Sequence, residues 1–116
     1  MKTRIFVSSV SAALAFSLVA FLVLRTSAKS SIKSSTIEVQ VDNFSFGAGT
    51  LSVPANSTVT WVNKDDVPHT VTSTDGLFKS KALDTDDKYA YTFTKPGTYS
   101  YYCTIHPKMV GKIVVQ

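Results

Sequence analysis

From Thr36 to the end of the chain apolar side chains recur at alternate positions, and this period of two restricts the fold to strands with one buried face. Ile37, Val39 and Val41 alternate with Glu38, Gln40 and Asp42. Leu51 and Val53 lead into Pro54-Ala55-Asn56-Ser57, a turn composition, after which Val59 and Trp61 alternate with Thr58 and Thr60. Tyr89, Tyr91 and Phe93 form another set. Lys95-Pro96-Gly97 reads as a tight turn, proline setting one dihedral and glycine supplying a positive one. Tyr99, Tyr101 and Cys103 follow on one parity, and Ile113 and Val115 close the chain. Asp75 to Asp87 is charged and irregular around Leu77, Phe78 and Leu83, so a long connection is expected there. No internal repeat is present, and after residue 28 nothing recurs at helical spacing. Short strands separated by turns predict an all-β sandwich or barrel of mostly antiparallel pairs.

The N-terminal segment obeys different rules. Residues 1–37 contain no Asp or Glu, and Lys2 and Arg4 precede an apolar run from Ile5 to Leu24. Such a segment directs export. Its length of about 20 residues also matches a membrane span, so two readings of residues 1–28 stand side by side. Small residues at Thr26-Ser27-Ala28 suit cleavage of a signal peptide, while Arg25 and Lys29 flank the run as they would flank an anchor helix. Either way the folded part, 36–116, is expected outside the cytoplasm, in the periplasm or on the outer face of the membrane. Residues 29–35, rich in serine and lysine, read as a linker. Three of the twelve basic residues belong to the leader, leaving nine against eight acids. That near-neutral balance argues against nucleic acid as a partner, and a monomer is expected.

Small exported domains are commonly stapled by disulfides, yet this chain has one cysteine, Cys103. A lone thiol in an oxidising compartment is either buried and inert or held by a metal. Parity turns Cys103 inward with Tyr99 and Tyr101, and His69 inward with Val71. His106 and Met109 follow to give Cys-x-x-His-x-x-Met between two strands. Singly, each residue has an ordinary explanation as a core histidine, a small hydrophobe or a gap filler. Together they exhaust the histidines, the cysteine and the non-initiator methionine of the chain. A soft thiolate, two imidazoles and a weak thioether are the donor set tolerated by both Cu(I) and Cu(II). Zinc also accepts two histidines and a cysteine, but Met109 would take the position a catalytic zinc leaves open to water.

These residues sit in a sequence that resembles the cupredoxin family, in particular its plastocyanin and amicyanin group, from about Thr36 to Gln116. The matching stretches are Val59-Thr60-Trp61-Val62-Asn63 leading to Pro68-His69, Phe93-Thr94-Lys95-Pro96-Gly97-Thr98-Tyr99-Ser100-Tyr101-Tyr102-Cys103, and His106-Pro107-Lys108-Met109-Val110-Gly111. The short Cys-x-x-His-Pro-x-Met loop is similar to that of amicyanin. The resemblance implies a Greek-key β-sandwich and one type 1 (blue) copper ion. Its ligands would be His69 from an earlier strand, Cys103 as thiolate, His106 at the solvent edge as the exit for the electron, and Met109 as axial sulfur. It also implies redox proteins as donor and acceptor, and an apolar docking patch around His106 with Gly47, Ala48, Gly49 and Pro68. In short-loop relatives the exposed histidine tends to leave the metal and protonate on reduction, which for His106 implies a pH-dependent potential. One departure stands out: many members carry Asn after the first histidine, where this chain has Thr70. The backbone N–H of that residue, a donor to the sulfur in the family, survives the change, while the tying role of the side chain is expected to pass to the hydroxyls of Thr70 and Thr104.

The function expected is carriage of single electrons without bond chemistry. Copper oxidases and nitrite reductases need a second copper site, for which no histidine remains. Copper delivery is the alternative, but delivery sites are usually open and rich in Met or His. Tyr102 is expected to face outward, Lys108 to lie solvated in the ligand loop, and Asp84, Asp86 and Asp87 to form a loop surface.

Overall fold

A computed structural model describes residues 35–116. The expected leader, 1–28, and nearly all of the expected linker lie outside the described residues. Among the described residues no helix is long and apolar enough to cross a membrane.

The alternating runs become strands where expected: β1 (Thr36–Asp42), β3 (Thr50–Val53), β4 (Ser57–Asn63), β6 (Lys88–Phe93), β7 (Gly97–Tyr102) and β8 (Val110–Val115), with two-residue strands β2 (Ser45–Phe46) and β5 (Thr72–Ser73) between them. They form two four-stranded sheets, ordered β2-β1-β4-β6 and β3-β8-β7-β5. Most pairings are antiparallel, but β1 runs parallel to β4 and β3 parallel to β8. Parallel neighbours cannot be joined by a tight hairpin. The chain meets this constraint by crossing between the sheets, β3 lying in the second sheet between two adjacent strands of the first.

The inward faces meet in an aromatic core. Trp61 of β4 is fully buried, its ring 5.3 Å from that of Tyr101 of β7 in a T-shaped contact that bridges the sheets. Such pairs contribute roughly 0.5–1.5 kcal/mol beyond area burial. The long connection is less peripheral than its composition indicates. Phe78 and Leu83 are buried in this core, and Leu83 exchanges two backbone hydrogen bonds with His69, of 2.7 and 3.1 Å. Their flanking charges stay outside and hide the apolar pair from a periodicity reading.

The loop after β4 is secured by Asn63. This fully buried amide donates to the carbonyls of Val67 and Leu83, both at 2.8 Å, and its Oδ1 accepts from the Asp65 N–H at 2.9 Å. A buried amide satisfied in this way fixes a loop that has no ladder of its own.

Candidate metal centre

Three loops meet at the end of the sandwich where β1, β4 and β7 finish. The connection from β4 to β5 carries His69, and the one from β7 to β8 carries Cys103, His106 and Met109. The shorter loop is closed by backbone hydrogen bonds from Met109 N–H to His106 O (2.8 Å) and from Cys103 N–H to Met109 O (3.0 Å). His69 and Cys103 have no solvent exposure, Met109 is buried, and His106 is half-buried.

The side chains converge. Cys103 Sγ lies 3.8 Å from Nδ1 of His69 and 3.8 Å from Nδ1 of His106, and the two Nδ1 atoms are 3.2 Å apart. A point equidistant from the three atoms is about 2.1 Å from each, within the range of first-row metal–imidazole bonds. His69 Nε2 meets the carboxylate of Asp65 at 2.7 Å, which holds the ring proton on Nε2 and leaves the Nδ1 lone pair facing inward. Electron-rich atoms gathered this closely are stabilised by a cation among them. Met109 lies in the same loop as Cys103 and His106 and is buried; the thiolate and the two imidazoles are donors that copper accepts.

The second layer bears on the sulfur. Thr70 N–H points to Cys103 Sγ at 3.3 Å. The expected link between hydroxyls is present: Thr70 Oγ1 lies 2.7 Å from Thr104 Oγ1 and accepts from Thr104 N–H at 2.8 Å. Burial alone would raise the Cys103 thiol pKa. The Thr70 N–H, the His69 contact, and the N–H and ring contact of His106 at the sulfur outweigh it, bringing the value down to about 6. The thiolate therefore prevails at neutral pH, and little free energy is spent on deprotonation when a metal binds.

Electrostatics at Asp65 follow the same pattern. Burial would raise its pKa, but hydrogen bonds from Phe44 N–H, His69 and Asn43 N–H prevail and lower it to about 2. The carboxylate beside His69 is thus ionised throughout the neutral range.

The surface beside the site differs from the expected patch. Gly47, Ala48 and Gly49 line a different hollow with Glu38, Phe46 and Tyr101. The hollow against His106, about 500 Å³, is bounded by Phe44, Ile105, Pro107, Lys108 and Met109. Phe44 and Ile105 are exposed. Phe44 stands edge-on to both histidines, its ring centroid 5.6 Å from His69 and 5.0 Å from His106. Sequence reading misses Phe44 because it occupies a turn position where glycine is the usual signal. Asp65 is missed as well, although its spacing of four from His69 is the one available sign. Of the other surface expectations, Lys108 is solvent-exposed, Tyr102 is half-buried, and Asp86 forms an exposed ion pair with Lys64 at 2.9 Å.

Comparison with known proteins decides the family. The profile of the Cupredoxin-like domain matches residues 13–115. The chain belongs to the cupredoxin family. Among curated cupredoxins it is 35% identical over 94 residues to amicyanin of Paracoccus denitrificans, covering 77% of this chain and 72% of that protein. It is 36% identical over 84 residues to amicyanin-alpha of Methylorubrum extorquens, covering 68% of this chain and 71% of the relative. A solved Cu(I) form of an amicyanin variant superposes with a TM-score of 0.67 at 36% identity, covering 70% of this chain and 82% of that one. Copper cycling between Cu(I) and Cu(II) is the cofactor of the cupredoxins, and the convergent His69, Cys103 and His106 fit it.

Proposed function

We propose that this cupredoxin is an exported carrier of single electrons, holding one copper ion through His69, Cys103, His106 and Met109. The observation that carries the reading is the convergence of one sulfur and two Nδ1 atoms at 3.2–3.8 Å, two of the three donor residues being sealed from solvent. Bound copper supplies the one-electron couple. The protein supplies constraint. His69 is held at its backbone by Leu83 and at Nε2 by Asp65, while Cys103 is held by Thr70 and the closed loop, so both side chains are restrained against following a change of charge. A donor set that moves little on reduction lowers the reorganisation accompanying each transfer.

His106 is the one donor of the three with partial solvent access, and its edge opens on the apolar hollow bounded by Phe44, Ile105 and Pro107. This supports entry and exit of electrons there, with redox proteins as donor and acceptor. The absence of Asp and Glu from residues 1–37, with Lys2 and Arg4 ahead of the apolar run, supports export, residues 1–28 acting as signal peptide or anchor, 29–35 as linker and 36–116 as the copper domain. The amicyanin relatives support a periplasmic setting. Burial of the donors disfavours copper delivery, which needs an open site.

The deciding measurement is the visible spectrum of the Cu(II)-loaded protein beside that of Cys103→Ser. An intense band that bleaches with ascorbate and vanishes in the variant is expected from a thiolate–copper bond. A colourless protein that takes zinc instead, or a copper that a chelator removes within seconds, would sink electron carriage.

A further inference from the structure

Outside the four donor residues, the most constrained group at this end of the sandwich is the carboxylate of Asp65. Besides His69 Nε2 it accepts the N–H of Asn43 at 2.7 Å and that of Phe44 at 3.0 Å. Its own backbone is fixed from both sides: the N–H donates to Asn63 Oδ1 at 2.9 Å, and the carbonyl accepts from the Thr85 hydroxyl at 2.6 Å. One side chain thus ties the β1–β2 turn to the buried histidine.

That turn is unusual. Asn43 and Phe44 both have positive φ, 49° and 55°. Two successive left-handed residues make the hairpin turn that normally reads Asn-Gly. A bulky side chain there costs roughly 1–2 kcal/mol, and Phe44 is 53% exposed, so core packing does not account for it. What the strained position achieves is placement of the ring edge-on to both histidines. The Asp65 carboxylate satisfies the N–H groups of both strained residues, and strain held by surrounding contacts is commonest at functional sites.

We propose that Asp65 is a positioning residue that fixes His69 with its proton on Nε2 and, through the same carboxylate, holds the Asn43–Phe44 turn so that Phe44 packs on both histidines. The inference rests on the reading of His69 and His106 as copper ligands. A carboxylate on the outer nitrogen of a ligand also stabilises the more positive oxidation state. Asp65 therefore lowers the reduction potential.

The test uses the full chain with Asp65→Ala and the isosteric Asp65→Asn. In metal-free protein, ring 15N chemical shifts are expected to show a single Nε2–H tautomer for His69 in the unsubstituted chain. In Asp65→Ala they should show a mixture of tautomers, with loss of the Phe44–His106 proton contacts. In copper-loaded protein, Asp65→Asn should favour Cu(I) at least tenfold at the original midpoint, a rise of about 59 mV for one electron. An unchanged potential together with unchanged Asn43 and Phe44 amide signals in Asp65→Asn would overturn the proposal even if Asp65→Ala does not fold. Failure of the unsubstituted chain to form a thiolate–copper band would refute the copper reading, while the metal-free tautomer measurement would still decide the role of Asp65.

Discussion

Thr70 concentrates the chemistry of one residue position. Its N–H reaches the Cys103 sulfur irrespective of the side chain, whereas its hydroxyl holds the Cys103 loop by accepting from Thr104 N–H and meeting the Thr104 hydroxyl. Thr70→Ala removes an acceptor and leaves a part-buried N–H without its partner, which costs about 1–3 kcal/mol. Denaturant unfolding of the metal-free protein is expected to show that loss, with Thr70→Ser close to the unsubstituted chain. The reduction potential should shift in Thr70→Ala, because the loop carrying the sulfur loses its tie. If neither Thr70→Ala nor Thr70→Asn moves the potential or the copper affinity, the hydroxyl link has no part in tuning the site.

Among elements, the β7–β8 pair governs how the ligand loop is presented. Gly111 stands opposite Tyr101 in this antiparallel ladder, and a β-carbon at Gly111 would come within 2.4 Å of the Tyr101 ring. Tyr101 cannot yield cheaply. It is buried, with Trp61 at 5.3 Å and Phe46 at 4.8 Å between ring centroids. Gly111→Ala is therefore expected to destabilise the fold by about 1–3 kcal/mol through overpacking, measured as a lower thermal midpoint. A midpoint equal to that of the unsubstituted chain would mean that the ring has an alternative rotamer in the core. Glycine here answers a close approach across the ladder, which its place in the sequence does not reveal.

For the whole molecule, the electrostatics of the site become a pH dependence of folding. The Cys103 thiol titrates near 6 in the folded metal-free chain against an ordinary value of 9.0. A pKa depressed by folding contributes stability that is complete above the unfolded value and is lost as pH falls through the folded one. The thermal midpoint of the metal-free protein is therefore expected to decline as pH is lowered from about 9 to 6. Cys103→Ser should remove that slope, and an equal slope in the variant would assign it to other groups. Loss of the thiolate ultraviolet absorbance below about pH 6 gives a direct check on the same titration.

Period-two alternation in residues 36–42, 57–61, 89–93 and 99–103 was enough to determine an all-β fold, because each strand buries one face and the pleat turns successive side chains to opposite sides. The local spacing of Cys103, His106 and Met109 likewise marked the loop that supplies two of the three converging donor residues. Its partner His69, 34 residues earlier, was legible through parity and donor chemistry. Parallel pairing of β1 with β4 was not legible, since partner choice depends on how the chain crosses between sheets. Nor were Phe78 and Leu83 as core residues, because the charges around them break the period. Asp65 and Phe44 acquire their roles only in three dimensions. Hydrogen bonds across 21 and 22 residues connect the turn to the carboxylate, and such contacts depend on which loops the two sheets bring to the same end.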